Sequence, residues 1–158
     1  MVQAGEQAPD FKLQTDDGGT LSLSEFRGKK VVLYFYPKDN TPGCTKEACS
    51  FNEKHEELTG RDVVVLGVSR DSLASHRRFK QKHGLKFPLL SDLDGSTCKA
   101  YGVLGEKKRF GRTYVGIFRT TFLIGEDGKV LHVFEKVKPE GHAQEILAKI
   151  EELDKKKP

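Results

Sequence analysis

At 158 residues the chain fits one domain, since domains run to roughly 100–200 residues each. Its 36% hydrophobic and 32% charged residues can bury a core, yet no stretch approaches the roughly 20 apolar residues of a membrane-spanning helix. A net charge of +4, with lysine and arginine scattered among 23 acidic residues, describes a solvated surface rather than a nucleic-acid footprint. In chain order, Phe11–Leu13 and Thr20–Leu23 flank Asp16-Asp17-Gly18-Gly19, two short runs joined by a turn, and predict an N-terminal β-hairpin. Val31–Tyr36 and Val63–Val68 are unbroken apolar runs rich in β-branched and aromatic residues, as expected of parallel strands covered on both faces. Between them Cys44, Ala48, Phe51, His55 and Leu58 recur at helical spacing, which predicts one crossover helix from Pro42 to Leu58, stopped by Gly60. Ser72–His83 before Gly84 predicts a second helix, Phe87–Leu90 a short strand, and Gly95–Tyr101 a short third helix closed by Gly102. Lys107–Arg112 reads as an exposed basic loop. Arg119–Ile124 and Val130–Phe134, joined by Glu126-Asp127-Gly128-Lys129, predict an antiparallel hairpin. Ala143, Ile146, Leu147, Ile150 and Leu153 mark the core face of a closing helix, and the basic tail from Lys155 to Pro158 is expected to fray.

This order predicts a single domain over residues 1–158 with a three-layer α/β architecture: a mixed central sheet flanked by helices. Three cysteines, an odd count without regular spacing, point to thiol chemistry or metal binding rather than to a disulfide frame. Cys44 falls where a central strand gives way to a helix, the crevice in which open α/β sheets place their sites. With Thr41 as N-cap and Pro42 as first helical residue, Cys44 takes the third helical position, where free N–H groups and the positive end of the helix dipole favour an ionised sulfur. Cys49 follows five residues later; the spacing alone also admits a structural pair or two zinc ligands. Cys98 reads as a small buried hydrophobe, His55 as half-buried, and His76 and His83 as exposed helix residues. The amino terminus lacks the basic start and apolar run of a secretory signal, so a cytoplasmic home is expected.

The stretch Pro37-x-x-x-Thr41-x-x-Cys44, set in Tyr34-Phe35-Tyr36-Pro37 through Thr45-Lys46-Glu47-Ala48-Cys49, resembles the active-site motif of the peroxiredoxins. The likeness is to the bacterioferritin comigratory protein, or peroxiredoxin Q, subfamily. It extends through Ser69-x-Asp71-Ser72, Phe87–Asp92, Tyr101-Gly102-Val103 and Gly111-x-Thr113-Tyr114-x-Gly116 to Arg119-x-Thr121-Phe122-Leu123-Ile124. The resemblance implies a thioredoxin-like fold and a peroxidase that works without haem, flavin or metal. It implies that Cys44 attacks the peroxide, that Pro37, Thr41 and Arg119 complete the pocket, and that Glu47 holds the arginine. It implies Cys49 as the resolving residue, because relatives that resolve from the next helix carry a cysteine where this chain has Lys80. The implied substrates are hydrogen peroxide and organic hydroperoxides, and the implied electron donor is thioredoxin or a glutaredoxin-like protein. A monomer or weak homodimer, with neither nucleic-acid nor membrane partners, completes the expectation. The chain departs from the pattern at Asn52, where an arginine is common, and at Gly125, where an aspartate is.

The implied chemistry is physically coherent. Cleaving an O–O bond by a thiolate needs an ionised sulfur in line with the peroxide and donors where charge grows on the leaving oxygen. A guanidinium, which keeps its proton and offers a fork of donors, meets both needs. The Thr41 hydroxyl is expected to accept from a helix N–H as the cap and to donate to the peroxide or the sulfur, and Pro37 to fix the loop and screen the pocket from water. Residues five apart on an ideal helix have Cα atoms roughly 8.6 Å apart. A disulfide usually spans about 4.4–6.8 Å, so pairing Cys44 with Cys49 requires the segment near 40–52 to unwind in part. A general thiol–disulfide oxidoreductase would normally show Cys-x-x-Cys, which is absent, and a redox sensor or zinc module is the non-enzymatic rival.

Overall fold

The computed structural model describes Met1–Lys156, and Lys157 and Pro158 lie outside the described residues. Seven strands form one sheet in the order β2(Thr20–Ser22), β1(Lys12–Thr15), β5(Leu89–Ser91), β4(Val63–Ser69), β3(Lys30–Phe35), β8(Thr120–Ile124), β9(Val130–Phe134). β3, β4 and β5 are mutually parallel, and β8 and β9 run antiparallel beside β3, as the two apolar runs and the hairpin pattern require. The N-terminal hairpin is not a free ribbon. β1 pairs antiparallel with β5, so the hairpin forms one edge of the main sheet.

Side chains on β3 alternate between two cores, which is the period-2 rule at work. Val32, Tyr34 and Tyr36 face one layer, built on α1(Pro42–Glu53), α2(His55–Gly60), α3(Leu73–His83) and α5(His142–Lys155); Val31, Leu33 and Phe35 face the other, with α4(Ser96–Tyr101) and the amino-terminal segment. The three layers match the expected architecture, and Ala143, Ile146, Leu147 and Ile150 are the buried face of α5 as predicted. Tyr34 lies flat over Gly67, where a Cβ would sit 2.9 Å from the phenol, so glycine on β4 makes room for the stack of Tyr34 on Phe51 at 4.5 Å.

Four expectations change. The helix drawn from Pro42 to Leu58 is two helices, broken at Lys54 (φ −100°, ψ 8°); Phe51 and Leu58 both face the core, so the apolar period runs across the break and hides it. Lys107–Arg112 is not a loop. It lies in a two-stranded ribbon, β6(Leu104–Arg109) with β7(Arg112–Ile117), turned at Phe110 (φ 52°) and Gly111 (φ 74°). Phe110 is 90% exposed, and a ribbon with little buried face leaves no alternating pattern to read. The short strand lies at Leu89–Ser91 rather than Phe87–Leu90. Lys155 ends α5 and Lys156 caps it, so these two residues of the tail expected to fray are ordered; Lys157 and Pro158 lie outside the described residues. No helix among the described residues is long and apolar enough to cross a membrane.

At the start of α5 lies His142, fully buried, with Nε2 2.7 Å from the Thr121 hydroxyl and Nδ1 unbonded. Burial, helped by the charge of Arg119, pushes its imidazole down to about 4. The folded pKa lies below the ordinary 6.5, so this stability contribution is complete above pH 6.5 and is lost as pH falls towards 4. Between pH 7 and 4.5 the folded protein is expected to lose about 2–3 kcal/mol through this one residue. Denaturant unfolding of wild type and His142→Gln at both pH values checks it: the variant keeps a correspondingly flatter profile, and parallel profiles would refute the assignment.

Candidate active site

The site is assembled from the carboxyl end of β3, the first turn of α1 and the residue that leads into β8. Thr41 is the N-cap of α1 by its extended backbone, Pro42 opens the helix, and Cys44 stands third, as its sequence position required. The cap is a backbone one only. The Thr41 hydroxyl donates to the Lys38 carbonyl at 2.9 Å and accepts nothing from the helix, which corrects both the expected side-chain cap and the expected donation to the peroxide or the sulfur, its one proton being used on Lys38. Cys44 is buried, at 1% exposure, on the sheet side of α1.

Arg119 reaches this cysteine from 75 positions away. The antiparallel register of β3 and β8 pairs Phe35 with Thr120, which sets residue 119 beside the strand end that feeds α1. There Nη2 donates to Cys44 Sγ at 3.3 Å while Nη1 donates to Glu47 Oε1 at 2.7 Å, so one guanidinium spans both. Glu47 is fully buried, against its ordinary solvated role on a helix. Burial pushes its carboxyl up to about 7 against the pull of Arg119. Its second oxygen has no protein partner, and neither has the buried hydroxyl of Tyr34. Sequence reasoning missed the part played by Gly43: a Cβ there would stand 3.0 Å from Arg119 Nη2 and 3.6 Å from Pro139, so the guanidinium packs on bare backbone. A glycine inside a helix's first turn, with no turn to make, was the available signal.

Pro37 and Thr41 line a cleft of about 430 Å³ whose far wall is the β6–β7 ribbon, with Lys107 and Ile117 facing them. Cys49 lies half-exposed on the opposite flank of α1 and lines a separate shallow groove with Lys46 and Gly141. Burial and the nearby charge of Glu53 raise its thiol, so the two cysteines of α1 sit in opposite fields, Cys44 against a cation and Cys49 near an anion. All three cysteines are free. Cys98 is buried among apolar groups, and burial with the neighbouring Asp92 holds its thiol far above the usual range.

Lys80, at the alternative resolving position, is bound to Asp16 at 2.9 Å. Asn52 ties the end of α1 to the loop after α3, donating to Gly84 O at 3.0 Å and accepting from Lys86 N at 2.9 Å. Gly125 packs against Leu131 in the β8–β9 turn. The reading of His76 and His83 as exposed is overturned. His76 is fully buried beneath the Pro37–Thr41 loop, and His83 is half-buried, edge-on to Phe79. His55 is half-buried beside Phe87.

A buried cysteine in the first turn of the helix after a central strand, bonded to a guanidinium and lying behind the Pro37–Thr41 loop that lines a cleft, defines a thiol enzyme of thioredoxin-like fold. Residues 4–133 match the model of the AhpC/TSA family. The chain is 45% identical to peroxiredoxin Bcp of Bacillus subtilis over 155 residues, which is 98% of this chain and 99% of that one. Among solved structures it is similar to a mutant PrxQ of Xylella fastidiosa (TM-score 0.92, 38% identity, 98% of each chain). It is also similar to the bacterioferritin comigratory protein of Xanthomonas campestris, studied for its alkyl peroxide reduction activity (TM-score 0.88, 40% identity, 95% of this chain and 98% of that one). The chain belongs to the AhpC/TSA family and is a peroxiredoxin, a thiol-dependent peroxidase.

Proposed function

We propose that Cys44 is the peroxide-attacking residue of this peroxidase, Cys49 its resolving partner, and that hydrogen peroxide and organic hydroperoxides are the substrates. The observation that carries the reading is the guanidinium of Arg119 bonded at once to Cys44 Sγ and Glu47 Oε1. The Cys44 thiolate attacks the nearer peroxide oxygen in line with the O–O bond, an S–O bond forms, and the O–O bond breaks. Arg119 steadies the negative charge that grows on the leaving oxygen, which departs as water or alcohol after taking up a proton. Because the Thr41 hydroxyl proton is committed to Lys38, its oxygen is free to accept the O–H of the peroxide. Pro37 shapes the cleft, and Glu47 is a positioning residue that fixes the arginine.

The product is a sulfenic acid on Cys44. Condensation with the Cys49 thiol forms an S–S bond and releases water, and a thioredoxin- or glutaredoxin-like dithiol then reduces the disulfide. Cys44 and Cys49 lie on the unbroken helix Pro42–Glu53, where an ideal geometry keeps their Cα atoms roughly 8.6 Å apart, so this step unwinds the first turns of α1. The whole chain serves this one activity, in the cytoplasm, as a monomer or weak homodimer, with neither nucleic acid nor membrane as partner. One equivalent of hydroperoxide added to the reduced protein is expected to consume two thiols and to yield a single Cys44–Cys49 linkage on peptide mapping. Amide exchange across residues 42–53 is expected to quicken at the same time. A linkage to Cys98, or oxidation with exchange in α1 unaltered, would contradict the reading.

A further inference from the structure

Asp39 stands midway between Pro37 and Thr41 and is 5% exposed, an unusual place for a carboxylate on a loop. Its Oδ1 accepts from the Tyr36 hydroxyl at 2.6 Å, and its Oδ2 accepts from Ser75 Oγ at 2.8 Å and lies 2.7 Å from His76 Nδ1. Its own N–H donates to Asp71 Oδ2 at 2.8 Å, an oxygen that also accepts from Ser69 Oγ at 2.6 Å. The loop is thereby tied to the end of β4 and the start of α3. The opposite nitrogen of His76, Nε2, is 2.9 Å from the Leu90 carbonyl, which can only accept. With the Leu90 carbonyl at Nε2 and, at Nδ1, a carboxyl oxygen that already accepts from Ser75, both ring nitrogens are placed to donate, which is the imidazolium arrangement. Burial opposes that charge, but the bond to Asp39 and the charges of Asp39 and Asp71 raise the ring above its ordinary value. Tyr36 is the remaining titratable neighbour: its hydroxyl donates to Asp39 at 2.6 Å and lies 3.4 Å from His76 Nδ1. The next residue, Asn40, takes left-handed backbone (φ 62°), a conformation that persists only where its surroundings impose it.

We propose that the buried His76–Asp39 ion pair is the positioning element that holds the Pro37–Thr41 loop in its peroxide-receiving geometry, a role that rests on Cys44 as the reacting thiol. Neither residue touches Cys44 or Arg119 by any bond in the site, so the pair acts through the loop. It acts on the pocket and leaves the Cys44–Arg119–Glu47 contact alone. The consequence is a separation of two reactivities of one sulfur. Attack on a peroxide needs the loop geometry, whereas alkylation by iodoacetamide needs the thiolate and access to it but not a peroxide-receiving loop.

The test measures both second-order rate constants for Cys44, by rapid quench and mass spectrometry, in wild type, His76→Gln, Asp39→Asn and the double variant. Each single change is expected to slow peroxide attack about tenfold, the worth of one buried charged hydrogen bond, with alkylation altered less than about twofold. The double variant is expected to be no slower than the worse single, since both break one pair. Equal peroxide rates in all four proteins overturn the proposal, and so do effects that multiply. If the changes merely loosen the fold, alkylation of the buried Cys44 rises as peroxide attack falls, which also overturns it. Ser75→Ala, on a half-buried residue, provides a milder variant should His76→Gln not fold: it removes one bond to Asp39 and is expected to slow peroxide attack about threefold, with an unchanged rate counting against the pair. A wild-type protein whose Cys44 fails to react with peroxide would refute the proposed chemistry instead, so the two failures are distinct.

Discussion

Cys44→Ser is expected to bring the consumption of hydrogen peroxide and of organic hydroperoxides down to the uncatalysed background, with any dithiol donor and at any enzyme concentration. A serine hydroxyl is not activated here: the side chain bonded to position 44 is a guanidinium at a helix terminus, which can stabilise an anion but cannot remove a proton, and the nearby Glu47 carboxyl is engaged by that same guanidinium. Cys49→Ser is expected to behave differently. It retains one stoichiometric oxidation at an undiminished first rate, accumulates a sulfenic acid that a dione reagent can trap, and fails to turn over with a dithiol donor. Thiol counting after one equivalent of peroxide, followed by steady-state assay, separates the two phenotypes. Residual turnover in Cys44→Ser would move the chemistry to another sulfur, and Cys98 is poorly placed for that, buried and held as a thiol by its surroundings.

Arg119→Met is expected to slow the first oxidation of Cys44 by about 10²–10³-fold, the size found when one preorganised donor to a developing anion is removed. Arg119→Lys is expected to recover only part of this. An ammonium keeps the charge but offers a single point, whereas the guanidinium places one nitrogen on the cysteine and another on Glu47 at the same time. The measurement is single-turnover oxidation at saturating reductant-free protein, where later steps do not contribute. A methionine variant within threefold of wild type would show that the contact with sulfur has no part in the reaction. The burial of Glu47 makes its own replacement costly in another way: with its partner gone, Arg119 loses its fixed direction.

Features encoded by neighbouring residues are legible in the chain itself. The two apolar strands, the helix start at Thr41-Pro42 and the place of Cys44 all follow from neighbouring residues, and each stands where the pattern put it. Arg119 and Glu47 carry no such local mark. Their pairing depends on the register of β3 with β8, and only the family resemblance pointed to them before the fold did. His76 looks exposed in the sequence because α3 is crowded with basic residues that suggest a wet helix, while the partner that justifies burying the ring lies 37 residues earlier. The β6–β7 ribbon and the break at Lys54 were hidden for opposite reasons, the first by having no apolar alternation and the second by keeping one.

The distance along the chain between Cys44 and its guanidinium has a bearing on biosynthesis. A ribosome exposes the helix that bears the sulfur well before it has made the strand that begins at Thr120. Until that later strand docks beside β3, Arg119 is not held against the cysteine. The bond from Arg119 to the Cys44 sulfur is therefore among the last contacts a newly made chain can form, completed only when the final hairpin closes the sheet.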